Sequence, residues 1–142
     1  MILLDTNVIS ESMKSTGDAN VLAWIDAQTI GTLFLSTISL AELRFGIAAL
    51  PEGKRRDRLH QSFEQRVLPL FAERILSFDD EASRSYAVLR ARARFAGKAI
   101  APADGYIAAI AMTHGLAVAT RDSSPFDAAG LVVINPWKVQ SK

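Results

Sequence analysis

"APADGYIAAIAMTHGLAVATRD", residues 101–122, decides how this chain folds. Pro102 stands where a helix begins, because its fixed φ suits the first helical position and its missing N–H costs nothing there. The apolar run from Tyr106 to Met112 carries that helix on to Gly115, a residue type that readily ends helices. Leu116 to Thr120 then follow without polar alternation. Strands buried on both faces of a parallel sheet look like this. An acid, Asp122, comes two residues after the strand's end.

Working outward, the same apolar runs recur at Met1–Leu4, Thr32–Ser36 and Leu131–Asn135, with a weaker one at Ile75–Phe78. Helical patterns lie between them. Asp18 is suited to cap a helix carrying Val21, Leu22 and Ile25. Ser39 is suited to cap "SLAELRFGIAAL", with Glu42 three residues on as the second half of a capping box. A long polar helix is predicted after Pro51, through "EGKRRDRLHQSFEQRVL". Asp79 or Asp80 starts another, "DEASRSYAVLRARARFAGK", which Gly97 ends. Helices alternating with apolar strands predict an α/β architecture with a mainly parallel sheet. At 142 residues, with no repeat and no linker, the expectation is a single domain over 1–142.

Composition narrows the class. Hydrophobic residues are 49% and charged ones 22%, ordinary for a globular protein. A formal net charge of +1 excludes a polycationic tail, so nucleic-acid binding would need a local basic face. Without cysteine there are no disulfides and no thiolate metal sites. No secretory signal precedes the first strand and no run approaches the ~18 residues that span a bilayer, so the expected location is the cytoplasm, away from membranes.

Most acids lie among other charges and are read as facing water. Four do not. Asp5 ends the first strand, in "MILLDTNVIS". Asp122 follows the strand "LAVAT", so both fall on the carboxyl-terminal edge, where open α/β sheets bind ligands. Glu42 and Asp104 lie near the starts of two strongly apolar helices. Each has a plainer reading: an acid in a first helical turn complements the macrodipole, Asp5 could cap the helix after it, and Asp122 could sit in a turn. Together they predict four carboxylates on one edge. Like charges ~4 Å apart repel by about 4 kcal/mol at an effective dielectric near 20. A hard divalent ion relieves that, and magnesium or manganese takes oxygen ligands without histidine. His60 and His114, on a polar helix and at a helix end, are read as uninvolved.

Four blocks, "MILLDTNVIS", "STISLAELRFG", "APADGYIAAIAMTHGLAVATRD" and "GLVVINPW", in this order and covering essentially the whole chain, resemble the PIN-domain ribonucleases. The likeness is to the VapC/FitB branch of bacterial toxin–antitoxin systems. The resemblance implies a three-layer, Rossmann-like α/β/α fold and a Mg²⁺-dependent ribonuclease, with Mn²⁺ as a substitute. It carries the family's acidic quartet onto Asp5, Glu42, Asp104 and Asp122 as catalytic and metal-binding residues. Thr6, Ser39 and Thr120 match positions that hydrogen-bond beside that site. One departure is visible. Relatives often carry "TRNxxDF" where this chain has "TRDSSPF", so the acid stands at Asp122 and Pro125 takes the later position.

The resemblance also implies a small DNA-binding antitoxin partner, whose basic side chain can occupy the acidic pocket, and homodimers or larger assemblies with it. Arg90, Arg94 and Lys98, at i, i+4 and i+8, form one stripe that is read as a candidate rail for RNA phosphates, with Tyr86 on another face. "KRRDR", Lys54 to Arg58, is read as plain surface. Haloacid-dehalogenase-type phosphatases are disfavoured because Asn7 stands where their second aspartate is required. Phosphoacceptor receiver domains are disfavoured too, lacking an acidic pair and a late-strand lysine. A catalytically silent PIN-like binding module is the remaining alternative.

Overall fold

The structure, a computed structural model, describes residues 1–138. Its sheet has five strands, β1 (Ile2–Leu4), β2 (Leu33–Ser36), β3 (Ile75–Leu76), β4 (Ala117–Ala119) and β5 (Val133–Ile134), in the order β3-β2-β1-β4-β5. Every pairing is parallel. Seven α-helices accompany it: α1 (Thr6–Ser12), α2 (Ala19–Asp26), α3 (Thr37–Ala48), α4 (Lys54–Ser62), α5 (Asp80–Phe95), α6 (Pro102–His114) and α7 (Ser124–Ala128).

The unbroken apolar strands now have their reason. Successive strand side chains point to opposite faces, and both faces are covered. Leu3, Phe34 and Val118 enter one core, built with Leu89, Ile107, Ile110 and Phe126. Leu4, Leu33, Leu35 and Ala119 enter the other, with Val8, Trp24, Leu43 and Phe63. The result is three layers, helix on sheet on helix. Phe63 and Phe71 belong to the core, whereas Phe45 lies 74% exposed on α3.

Two local expectations are overturned. α3 begins at Thr37, and its cap is Ser36, whose Oγ accepts from the Ser39 N–H at 3.0 Å. Ser39 is therefore inside the helix and Glu42 is beyond its first turn, so no capping box forms. The long polar helix after Pro51 starts only at Lys54. It gives way at Phe63 to a π turn and then a 3₁₀ turn, Leu68–Phe71, whose Pro69 cannot donate to a helical ladder. The short α7, which has Pro125 near its start, had no forewarning. No helix among the described residues is long and apolar enough to cross a membrane.

The chain builds β1, β2 and β3 outward to one side, then returns to place β4 against the other side of β1. Strand order thus reverses between β1 and β4. Ligand clefts in open parallel sheets form at such a point, beyond the carboxyl ends of the strands.

Candidate active site

Asp5 sits at that reversal. Its backbone N–H continues the ladder to Ala119 O at 2.9 Å, and it caps α1 by accepting from the Thr6 N–H through Oδ1 at 2.8 Å. Thr120, at the end of β4, donates from Oγ1 to Asp5 Oδ2 at 2.8 Å. The same Oγ1 accepts from the Asp122 N–H at 3.2 Å and from the Asn7 amide at 3.4 Å. A hydroxyl has one proton, and the Asp5 carboxylate oxygen at 2.8 Å is a nearer and stronger acceptor for it than the Asp122 carbonyl at 3.4 Å.

Thr6 performs the matching task on the other side. Its Oγ1 donates to Glu42 Oε1 at 2.7 Å and lies 3.0 Å from Ser39 Oγ. Glu42 thus reaches the site from the second turn of α3, outside the macrodipole's favoured zone. The plain reading of Glu42 as a first-turn acid fails for that reason. Asp104 lies half-buried in the first turn of α6, where that reading does apply. Asp122 is exposed between β4 and α7. Among the described residues, the carboxylates of Asp104 and Asp122 make no hydrogen bond.

Burial pushes the Asp5 carboxyl up to about 6 from 3.8. The charges of Asp104 and Glu42 push it the same way, against the hydrogen bonds from Thr120 and Thr6. Asp104 is also raised, first by burial and then by Asp122 and Glu42. Asp104 therefore lies within electrostatic reach of the other three acids, and Asp5 also within that of Glu42. No cation figures among the charges that act on Asp5 and Asp104. They do not form a closed cage: among the described residues no three His, Cys, Asp or Glu side chains are arranged as a ready-made metal site. Chemically the set fits a hard divalent cation, since every donor is oxygen and the repulsion is uncompensated. Both histidines are exposed.

Two features escaped the sequence reading. Asn7, noted there only as a missing acid, ties the strand-end loop together: its amide reaches Thr120 Oγ1, and its Oδ1 accepts from the Arg121 N–H at 3.3 Å. Arg55 and Arg58, from the run read as plain surface, line a groove that also contains Thr6 and Glu42. The predicted helical stripe holds only for Arg90 and Arg94: α5 ends at Phe95 and the chain turns at Gly97, so Lys98 lies beyond the helix, although all three line a second groove, which Tyr86 shares rather than facing elsewhere. Arg90 Nη1 donates to Tyr86 Oη at 2.7 Å, with the guanidinium over the ring. The Tyr86 ring in turn presses on Gly105, where a Cβ would lie 2.9 Å from it. The cationic stripe therefore abuts the helix that carries Asp104.

Comparison with known proteins agrees with this fold. A PIN-domain family model matches residues 2–131. The VapC ribonuclease Y4jK of Sinorhizobium fredii is 62% identical over 138 residues, 97% of this chain and 99% of the relative. The toxin FitB of Neisseria gonorrhoeae is 52% identical over 137 residues, 96% of this chain and 99% of the relative. The structure of FitAB bound to an IR36 DNA fragment contains a chain 49% identical to this one, with a TM-score of 0.96 and 99% of each chain covered.

Proposed function

The chain belongs to the PIN-domain family, and from that membership we propose that it is a Mg²⁺-dependent endoribonuclease, the toxin of a type II toxin–antitoxin pair. One observation carries the reading. Asp5 is buried and hydrogen-bonded from two sides, and burial first, then two other carboxylates, raise its pKa with no cation to oppose them. Such a cluster is costly unless a divalent ion completes it. The names of the relatives, a VapC ribonuclease and a FitB toxin, support the same activity.

Asp5 and Asp104, with Glu42 or Asp122, would hold the ion. When bound, magnesium or manganese supplies positive charge to the phosphodiester and makes the attacking water more acidic. Thr120 and the Thr6 amide keep the Asp5 oxygens aimed, and Thr6 Oγ1 fixes one oxygen of Glu42 and leaves the other free. The unfixed carboxylates orient the attacking water and accept its proton. In-line attack leaves a 5′-phosphate and a 3′-hydroxyl. Arg90, Arg94 and Lys98, next to the Asp104 helix, guide the RNA phosphates. A small DNA-binding antitoxin is the expected partner and a homodimer the expected toxin assembly, in line with the solved FitAB complex on DNA.

The test is RNA cleavage against magnesium concentration, with end mapping of the products. Asp5→Asn and Asp104→Asn should each lower magnesium-dependent cleavage on the order of a thousandfold while the protein stays folded. Wild-type rates in either variant would remove the site. A folded wild-type protein that cleaves no RNA at any magnesium concentration would be the silent binding module instead.

A further inference from the structure

Helices α1, α3 and α4 enclose a groove of about 850 Å³ that opens onto the acidic centre. Thr6 and Glu42 form its inner end, and Leu43, Ile47 and Leu59 form an apolar floor. The rim is cationic, with Lys14, Arg55 and Arg58. The local sequence explains the rim. Arg55, Arg58 and Leu59 are spaced i, i+3 and i+4, so they share one face of α4. Turning Leu59 inward brings both guanidinium groups to the edge of the groove.

Charge decides what the groove suits. Among the described residues, ion pairs join Lys14 to Glu11, Arg44 to Glu64 and Arg84 to Asp80. Among the described residues Arg55 and Arg58 have no carboxylate partner. Glu42, at the inner end, is the one acid lining the groove. An occupant therefore meets two uncompensated cations on the rim, then an apolar floor, then the catalytic carboxylates. We propose that this groove binds the single-stranded flank of the RNA substrate, with phosphates on Arg55 and Arg58 and bases against the floor. A strand threaded there already points at the centre that would cut it. The inference rests on the ribonuclease reading and adds a path to it: the strand crosses the acids between the α4 rim on the Glu42 side and the α5 stripe on the Asp104 side.

The experiment measures binding without chemistry. A fluorescent oligouridylate of about twelve nucleotides is titrated with the full chain in EDTA, at salt from about 50 to 200 mM. Each phosphate contact to a single strand contributes about −0.7 to the slope of log K against log salt. Arg55→Gln/Arg58→Gln should therefore flatten the slope by about 1.4. In magnesium it should raise KM and leave kcat unchanged. Arg55→Lys/Arg58→Lys, which keeps the charges, should restore the slope. Arg66→Gln, outside the groove, should leave it unaltered. Both arginines are exposed, so the variants should melt as the wild type does. A wild-type slope in the double glutamine variant overturns the proposal. If that variant instead loses affinity only for a protein partner, the groove is a protein-docking site and the RNA assignment is likewise overturned. Failure of the ribonuclease reading looks different: RNA binds with the expected slope change, yet the wild type cleaves nothing in magnesium.

Discussion

The two halves of the acidic centre are built differently. On the side of β1 and α3, Asp5 and Glu42 are held by Thr6 and Thr120 before any ligand arrives. On the side of α6 and the β4–α7 turn, Asp104 and Asp122 have carboxylates that nothing among the described residues bonds. The first half has oxygens aimed in advance, and a site so prepared loses little entropy on binding. The second half has no such bonds to hold its oxygens. That difference accounts for an acidic cluster that suits a divalent ion without being a finished cage.

The largest effect that sharpens the comparison is on stability. An unfolded aspartate titrates near 3.8, and folded Asp5 near 6. Below the lower value both states are protonated and Asp5 costs nothing. As pH rises through about 6 the folded state must give up a proton it holds more tightly, so stability is lost. Completed at neutral pH, the loss is on the order of 3 kcal/mol. Glu11 acts in the opposite sense, because Lys14 and the Asp18 amide hold its carboxyl below the ordinary range. Comparing wild type with Asp5→Asn isolates the Asp5 contribution. In EDTA the variant should melt higher at pH 7 and match the wild type near pH 4. A constant difference across that range would break the assignment.

Next is Thr6, which serves both members of the prepared half. Thr6→Val should weaken manganese binding by about ten- to a hundredfold in calorimetry, and Thr6→Ser should recover it. Equal affinity in the valine variant would mean that Glu42 needs no aiming.

The smallest effect belongs to Asp122, the exposed member of the free half. Asp122→Asn should lower cleavage by about tenfold and leave the melting curve within about 0.5 kcal/mol of wild type. A loss as deep as that of Asp5→Asn would mean that Asp122 holds the ion as directly as Asp5 does.

The strands were legible because a sheet covered on both faces leaves no polar position to blur the pattern, as Leu3 and Leu4 show by entering opposite cores. The acids were legible as residue types at strand ends and near helix starts. Their geometry was not. Ser36 and Ser39 stand three apart, and the pattern from Ser39 to Glu42 imitates a capping box. In fact β2 runs directly into α3, with Ser36 as both the last strand residue and the cap. Asn7 was noted only for the charge it lacks, since a side chain that ties two loops leaves no periodic signal. Arg55 and Arg58 were invisible as groove residues, because a basic run becomes a rim only when α4 packs beside α3.

Gly105 has a last consequence. With no carbon beyond its Cα, the first turn of α6 lets the Tyr86 ring lie flush, and Arg90 rides on that ring. The gap between the molecule's negative heart and its positive flank is thus gauged by an absent methyl. Restoring it with alanine would wedge the flank outward and change the span a phosphate chain must bridge.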